Sequence, residues 1–417
     1  MSSETGTAVS HRASLHRRTV AVLAGAQVLG GLGVAIGVAV GGLIAADIAG
    51  TDGVAGLAQS FGVLGAAAAA VPLARLTRRR GRRAGLVAGM STGAVGAGVV
   101  VAGSALRLLP LMLGGLLFFG AATAAGLQAR YGATDLASPD GVARSLSVVV
   151  WASTVGSVLG PNLAEPAGAL GTVVGLPPLT GPFLVSMVGF AGAAVLLFVL
   201  LRPDPLLAAR QKALSETGGG RERAGFLATL RVIAMRPRAL IGLLAVTSSH
   251  MAMVSVMVMT PVHMHHVEVT LTVIGLVISV HVVGMYGFSP LAGWLADRVG
   301  RVPVVFAGAV LSAVAAVVSG TAPGNDPVRL GIGLFLLGLG WSCGLVAGSA
   351  LLSESVPMSS RTAAQGVSDL VMNGGAALGG SLAGVVVAQF SYAWLGFAVA
   401  MGMALAALGE LKWVSDR

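Results

Sequence analysis

The sequence predicts an all-α polytopic membrane protein with about 12 transmembrane helices in two six-helix bundles. Three observations give this prediction. Of the 417 residues, 55% are hydrophobic and only 10% are charged, whereas about a quarter are charged in soluble domains. The apolar residues form runs of about 20, the length of a helix that crosses a bilayer. Arginine clusters separate the runs, and one long polar stretch divides them into six and six.

The individual spans follow from mean hydropathy in a window of about 19 residues. The first run is preceded by a polar, basic segment and is too long for a cleaved signal peptide, so we expect it to remain as an anchor. The predicted spans are 20–46, 54–73, 84–106, 108–128, 145–164, 182–201, 239–262, 271–294, 302–321, 330–352, 367–389 and 394–411.

The basic residues predict the orientation. If the N-terminus is cytoplasmic, only Arg107 and Arg329 of the 26 lysines and arginines lie in outer loops. Positive residues are retained in the cytoplasm during insertion, so both termini are expected there, in the cytoplasmic membrane of a bacterium. Arginines in short clusters without interleaved aromatic residues do not favour nucleic acid as a partner. The expected partners are the lipid bilayer and a small cargo, and the expected state is a monomer.

The longest polar stretch predicts the domain organisation. Residues 202–238 carry many arginines around the flexible segment Gly218-Gly219-Gly220, and we interpret them as a cytoplasmic linker. The predicted domains are an N-terminal bundle at 1–201 and a C-terminal bundle at 239–417. Two such halves are typical of an internal duplication with a central cavity.

The inner loop after the eighth span carries the most specific motif. It reads Gly293-Trp294-Leu295-Ala296-Asp297-Arg298-Val299-Gly300-Arg301, and it resembles the loop motif of the major facilitator superfamily, a family of secondary transporters. The resemblance implies the major facilitator fold over the whole chain. It also implies that Asp297 acts as a cytoplasmic latch, with Gly293, Arg298, Gly300 and Arg301, against the start of helix 5 near Arg144. A carboxylate there can bond exposed backbone amides.

The matching loop of the first half, residues 74–83, keeps the turn glycine and the arginines but has Arg78 in place of the acid. Its half of the latch is therefore in doubt. The polar segment 128–135 after the fourth span is expected to form a turn or a latch contact.

Histidine and methionine are concentrated between residues 250 and 285, which hold five of the seven histidines and six of the 15 methionines. On a helix, His250, Met253, Met257 and Met264 fall within about 60° of one another. His281 and Met285 are four apart and share a face. Thioether and imidazole groups suit Cu(I), and an ionisable group such as His281 near mid-membrane is usually functional. The alternative is that these methionines face lipid and the outer histidines meet water.

The paired motifs M-x-x-x-M and H-x-x-x-M resemble those of the CcoA-like, copper-importing branch of the superfamily. This resemblance implies metal contacts by Met253, Met257, His281 and Met285, in a cargo site that also includes His250, Met264 and Asn373. That branch includes members with other cargo, so copper is a hypothesis.

Two carboxylates are candidates for proton coupling, Asp369 and Glu165, because a carboxylate facing a cavity can exchange protons between the two sides. Gly156-Ser157-Val158-Leu159-Gly160-Pro161 partly resembles a motif of drug/proton antiporters. The alternative function is therefore proton-coupled efflux of an amphipathic metabolite or drug.

The leading hypothesis is a secondary active transporter that imports copper or another small metal-related solute by alternating access. The sequence has no phosphate-binding loop and no convincing catalytic arrangement, so we expect neither an enzyme nor a cofactor. A metal sensor would require a substantial soluble output domain, so that class fits poorly, although the linker 202–238 could bind a partner.

Overall fold

The computed structural model describes residues 2–50, 54–217, 226–265, 267, 269 and 271–415. Within these residues the chain is almost entirely helical, and 12 helical segments are long and apolar enough to cross a membrane. The predicted fold class is confirmed. The predicted flexible segment Gly218-Gly219-Gly220 and His266 lie outside the described residues, and only the backbone of His265 is described.

Contacts divide the chain into two compact units. Unit 1 comprises Met1–Pro139, Val148–Ala224 and Met358–Asp369, and unit 2 comprises Asp140–Ser147, Gly225–Pro357 and Leu370–Arg417. The first residues of one helix in each half thus pack with the other unit. The predicted domain boundaries at 201 and 239 stay a prediction.

Unit 1 holds the helices of the first half of the chain. A long helix precedes and includes the first span, and a short helix follows the fifth. The helices are α1 (Ser2–Ala49), α2 (Ala55–Arg80), α3 (Arg82–Ala105), α4 (Leu109–Gly132), most of α5 (Val142–Asn162), α6 (Ala164–Val173), α7 (Gly181–Leu200) and α8 (Pro205–Thr217).

Unit 2 holds the helices of the second half. The predicted eighth span is not one continuous α-helix, since a π-helical turn, Val283–Gly287, interrupts it. The helices are α9 (Phe226–Ala234), α10 (Pro237–His265), α11 (Leu271–Val282), α12 (Ser289–Val299), α13 (Arg301–Gly320), α14 (Pro327–Ser355), most of α15 (Met358–Gln389) and α16 (Tyr392–Ser415).

Small residues allow the helices to pack closely, as expected where lipid provides no hydrophobic driving force between helices. A Cβ atom on Gly115 of α4 would lie 2.7 Å from the backbone nitrogen of Val100 on α3. The gaps left by glycines on α1 are filled by aromatic rings: Phe119 packs edge-to-face on Phe183 and Phe190, with centroids 5.6 and 5.0 Å apart. These rings form the centre of the apolar core of unit 1.

Single glycines join two pairs of neighbouring helices. Gly81 alone separates α2 from α3, and Gly300 alone separates α12 from α13. Their φ angles are 94° and 112°, in the region that side chains with a Cβ rarely adopt. The two loops therefore have the same construction at corresponding places in the two halves.

Several helices extend beyond the spans that hydropathy predicted. The eleventh span was predicted from residue 367, but α15 begins at Met358, and α4 continues past residue 128 to Gly132. Hydropathy falls where polar residues begin, whereas backbone hydrogen bonding continues through those residues. The polar ends of α3, α4 and α15 carry most of the site described next.

Candidate functional site

Asp297 lies in the last turn of α12 and caps the start of α5. Its carboxylate accepts hydrogen bonds from the backbone N–H groups of Ala143, at 3.1 Å, and Arg144, at 2.8 Å. The first N–H groups of a helix have no partner within it, and the helix dipole favours a negative charge there. Inside unit 2, the structure thus places Asp297 and Arg144 together as the loop motif implied.

The glycine of the motif permits this approach. A Cβ atom on Gly293 would lie 2.7 Å from the carbonyl oxygen of Ala143 and would collide with the side chain of Ser147. Arg144 contributes its backbone, while its side chain is exposed. Arg298 also points away from this contact, since its guanidinium lies over the ring of Trp294, 5.2 Å from the centroid.

Arg301 connects the motif to the end of α14. Its Nη2 lies 2.9 Å from Asp297 and 2.9 Å from Glu354, and the side chains of Arg301 and Glu354 are 14% and 34% exposed. Sequence reasoning included Arg301 but missed Glu354. The contact is a partly exposed carboxylate–arginine–carboxylate chain.

The first half contains a corresponding contact that is far more buried. Arg82 follows Gly81 as Arg301 follows Gly300, and it forms two hydrogen bonds to Asp135, at 2.8 and 3.1 Å. The arginine and its acidic partner are 53 residues apart in both halves. The side chains of Arg82 and Asp135 are 1% and 0% exposed. This repeated spacing supports an internal duplication and was the signal available in the sequence for finding these residues.

A second buried ion pair lies in the same unit. Arg130 of α4 donates to Asp369 of α15 at 2.9 Å, with side chains 2% and 0% exposed. Arg82 also donates to Oε1 of Gln365 at 2.6 Å. Gln365 and Asp369 are four residues apart and share one face of α15. We refer to these five residues, Arg82, Arg130, Asp135, Gln365 and Asp369, as the buried ion-pair network.

The charges in this network balance, and each carboxylate lies against an arginine. Burying charge is costly, and removing one partner of a buried pair costs about 3–5 kcal/mol because the other charge is left uncompensated. Each arginine and its carboxylate are therefore stable in this network only when both are present. The network holds the first residues of α15 on unit 1, as Asp297 holds the first residues of α5 on unit 2.

The loop at 74–83 replaces its missing acid with a residue from another segment. Arg78 stands where an acid would correspond to Asp297, and its carbonyl accepts a hydrogen bond from Arg210 of α8 at 2.7 Å. Asp204, just before α8, accepts a hydrogen bond from the backbone N–H of Arg83 at 2.8 Å. In unit 1 the predicted linker region thus supplies the carboxylate beside the glycine turn.

His281 is fully buried at the end of α11. Its Nδ1 lies 2.6 Å from the carbonyl oxygen of Leu334 on α14. A carbonyl only accepts, so Nδ1 carries the proton and Nε2 of the neutral ring carries a lone pair. That Nε2 has no hydrogen-bond partner among the described residues. Met285, in the π-helical turn, is also buried.

His250 contacts a different part of α14. Nε1 of Trp341 donates to Nδ1 of His250 at 2.9 Å, and Tyr286 packs edge-to-face on Trp341 with centroids 5.4 Å apart. We name His250, Tyr286 and Trp341 the aromatic cluster. The contact points of His281 and His250 on α14, Leu334 and Trp341, are separated by two helical turns, or about 10 Å.

The methionines predicted to bind metal lie on two elements, Met253 and Met257 on α10 and Met285 in the π-helical turn. Met253 and Met264 are buried on α10, and Met257 is half-buried there. The helices α10 and α11 pack chiefly on α14 rather than on each other. His263 stacks on Tyr392 with centroids 4.3 Å apart, which gives it a packing role. Across the described residues, no group of three or more His, Cys, Asp and Glu side chains is arranged to hold a metal ion.

The other predicted polar residues lie apart from one another. Glu165 is exposed on α6, outside the candidate spans. Asn373 is buried on the part of α15 that belongs to unit 2. Asp47 forms an exposed pair with Arg107 at 3.1 Å. Of the two proposed proton-coupling carboxylates, only Asp369 is enclosed.

The comparison with protein families gives one match that spans nearly the whole chain. The family model described as Major Facilitator Superfamily matches residues 23–270 and 242–416. The protein described as the uncharacterized MFS-type transporter YdeG, from Bacillus subtilis (strain 168), is 39% identical over 91% of this chain and 88% of its own.

Two further proteins are similar at lower identity. The riboflavin transporter RfnT of Brucella anthropi is 28% identical over 89% of this chain and 89% of its own. The crystal structure of the human organic anion transporter MFSD10 superposes with a TM-score of 0.74 and 16% identity, and covers 95% of this chain and 99% of that one. At that identity the structural likeness shows the fold alone.

Proposed function

Since this chain belongs to the Major Facilitator Superfamily, we propose that it moves a small organic solute with a planar aromatic ring across the cytoplasmic membrane of a bacterium. As a member of that family it is a secondary transporter that works by alternating access, in which the solute site opens to one side of the membrane and then to the other. We propose that it acts as a monomer with cytoplasmic termini and performs no catalysis.

The aromatic cluster is the observation that carries the choice of cargo. Trp341 is 3% exposed, while His250 and Tyr286 are only half-buried. Flat aromatic rings bind other planar rings by offset stacking or edge-to-face contact. The hydrogen bond to His250 fixes the orientation of the indole, which favours one preferred geometry for a ring that packs beside it. The similarity to a riboflavin transporter supports the same class of cargo.

Copper stays a prediction, and the positions of the two residue pairs do not favour it. The hydrogen bond from Nδ1 of His281 to Leu334 leaves Nε2 with a lone pair, but the H-x-x-x-M and M-x-x-x-M pairs lie on elements that pack on α14 rather than on each other. A Cu(I) site would require soft ligands from both pairs to converge on one point. The CcoA-like branch therefore has less support than an organic-solute carrier.

We propose that the buried ion-pair network couples transport to a proton. When the hydrogen bond between Arg130 and Asp369 breaks, the carboxylate of Asp369 becomes available to accept a proton from the side of the membrane to which the site is open. Protonation in turn removes the attraction that holds Arg130, so a proton stabilises the released state. We propose that the cap at Asp297 releases α5 in the same transition, because its hydrogen bonds join the end of one helix to the first residues of another.

The proposal is tested by transport into proteoliposomes. Uptake of labelled riboflavin and of copper should be measured side by side, with and without an imposed pH gradient. We expect saturable riboflavin flux that depends on the gradient, and copper flux equal to that of empty liposomes. Trp341→Ala should reduce riboflavin flux at least tenfold, whereas Trp394→Ala, an exposed tryptophan outside the cluster, should leave it unchanged.

Gradient dependence tests the coupling residue. Asp369→Asn should leave solute exchange between equal concentrations but remove acceleration by the pH gradient. Copper flux that requires His281 and Met285, with no flux of any aromatic solute, would overturn the cargo proposal and restore the copper hypothesis. The sign of the gradient effect also distinguishes import from efflux.

A further inference from the structure

The short helix α9 presents an exposed surface of mixed character just before the seventh span. Thr229 and Ile233 face the protein and are buried, whereas Leu227 and Met235 at and just beyond its ends are 78% and 72% exposed. At 100° per residue, Arg231 lies between Leu227 and Met235 on the exposed side. The exposed face is thus an arginine flanked by two large apolar side chains.

The position of α9 in the chain places this face close to a bilayer surface. The helix ends at Ala234, and α10, a candidate membrane span, begins at Pro237. So short a connection cannot carry α9 far from the point where α10 enters the membrane. The connection is also fixed, since Arg236 donates to the carbonyl oxygen of Ser355 at the end of α14, at 3.2 Å.

We propose that α9 lies in the membrane interface and binds anionic lipid headgroups through Arg231. A guanidinium forms paired hydrogen bonds with a phosphate, and apolar residues on either side of it reach the boundary of the acyl chains, as in other interfacial amphipathic helices. The exposed side chains of Arg236 and Arg238 add to the positive charge at this place. The partner is the bilayer itself, and the preferred lipid carries a phosphate with net negative charge.

Depth measurements on the full-length protein in nanodiscs test the location. Single nitroxide labels are introduced at Leu227→Cys, Arg231→Cys and Met235→Cys in a Cys343→Ser background, and collisions with oxygen and with a water-soluble nickel chelate are compared. Labels at 227, 231 and 235 should all collide preferentially with oxygen, as lipid-exposed labels do, because the three positions lie within about 80° of one another on one face. Preferential collision of these labels with the nickel chelate would overturn the proposal and would leave the face available to a soluble partner.

Lipid dependence tests the headgroup contact. Hydrogen exchange of the amides of α9 should be about fivefold slower in nanodiscs that contain phosphatidylglycerol than in phosphatidylcholine alone, the factor expected for one arginine near an anionic surface. Arg231→Gln should abolish that difference, whereas Arg231→Lys should retain most of it. A difference that persists in Arg231→Gln would refute the assignment to Arg231, and no difference in the unmodified protein would refute the lipid preference.

Discussion

The two corresponding ion pairs make a controlled comparison of burial possible. Arg82–Asp135 and Arg301–Glu354 follow the same kind of glycine turn and have the same spacing, but the first pair is enclosed and the second is partly exposed. We predict that Asp135→Asn destabilises the described conformation by about 3 kcal/mol, because Arg82 keeps its charge while losing a buried carboxylate. Glu354→Gln should cost less than about 1 kcal/mol, because water screens that pair.

The first value corresponds to a factor of about 150 in the equilibrium between the conformations with and without this contact. The assay uses Gln365→Cys in a Cys343→Ser background, because position 365 is buried beside Arg82. Its alkylation rate reports how often the network opens. In that background Asp135→Asn should raise the rate by about two orders of magnitude and Glu354→Gln by less than about fivefold. Equal rates in the two variants would show that burial does not control this contact and would refute the reasoning.

Three further predictions follow from single contacts. Gly293→Val should arrest transport while the protein still inserts, because the added side chain would collide with α5. The control is Gly384→Val, since a Cβ atom at position 384 meets no atom within 4 Å. Full transport by Gly293→Val would contradict the prediction. Asp297→Asn should weaken the cap of α5 by about 1 kcal/mol, and Asp297→Ala should weaken it by more. The measurement is amide hydrogen exchange at the start of α5, which should become faster in both variants. Unchanged exchange would refute the cap. His250→Ala should leave Nε1 of the buried Trp341 without its acceptor, at a cost of about 1–3 kcal/mol in the free energy of unfolding. In a Trp341→Phe background, which has no indole N–H, His250→Ala should cause no such loss. A loss of the same size in that background would contradict the prediction.

The spans and the residues of the second-half loop motif could be predicted because both have local signals. Apolar runs give the helices, and a nine-residue motif gives Gly293, Asp297 and Arg301. The contacts of Asp297 with the start of α5 required one further step, the implication of the family resemblance that this loop lies near Arg144.

Asp369 and the segment 128–135 were predicted to matter, but the pairings within the buried ion-pair network were missed, because its members are far apart in the chain and occupy polar helix ends. Arg82 is the first residue of α3, Asp135 follows α4, and Gln365 lies in a part of α15 that hydropathy excluded. A run of polar residues gives the same sequence pattern whether it forms a solvated loop or a buried site. Only the equal spacing of two arginine–acid pairs distinguishes them, and that spacing becomes meaningful once the pairs are known to touch.

The sequence could not show whether the predicted copper ligands meet, for a related reason. Crowding of histidine and methionine within 36 positions of sequence suggested one cluster, but His250 of α10 and His281 of α11 contact α14 two helical turns apart. Proximity along the chain does not give proximity in space when two antiparallel helices contact a third one instead of each other.

The one-residue joints at Gly81 and Gly300 leave no slack between adjacent rods. A tilt of α2 or α12 is therefore transmitted directly to the next helix, and each helical hairpin moves as one rigid body. Insertion of a few residues at Gly81 or Gly300 would uncouple the two helices of the hairpin. A transporter altered in this way should still insert and bind its solute, but its turnover rate should fall.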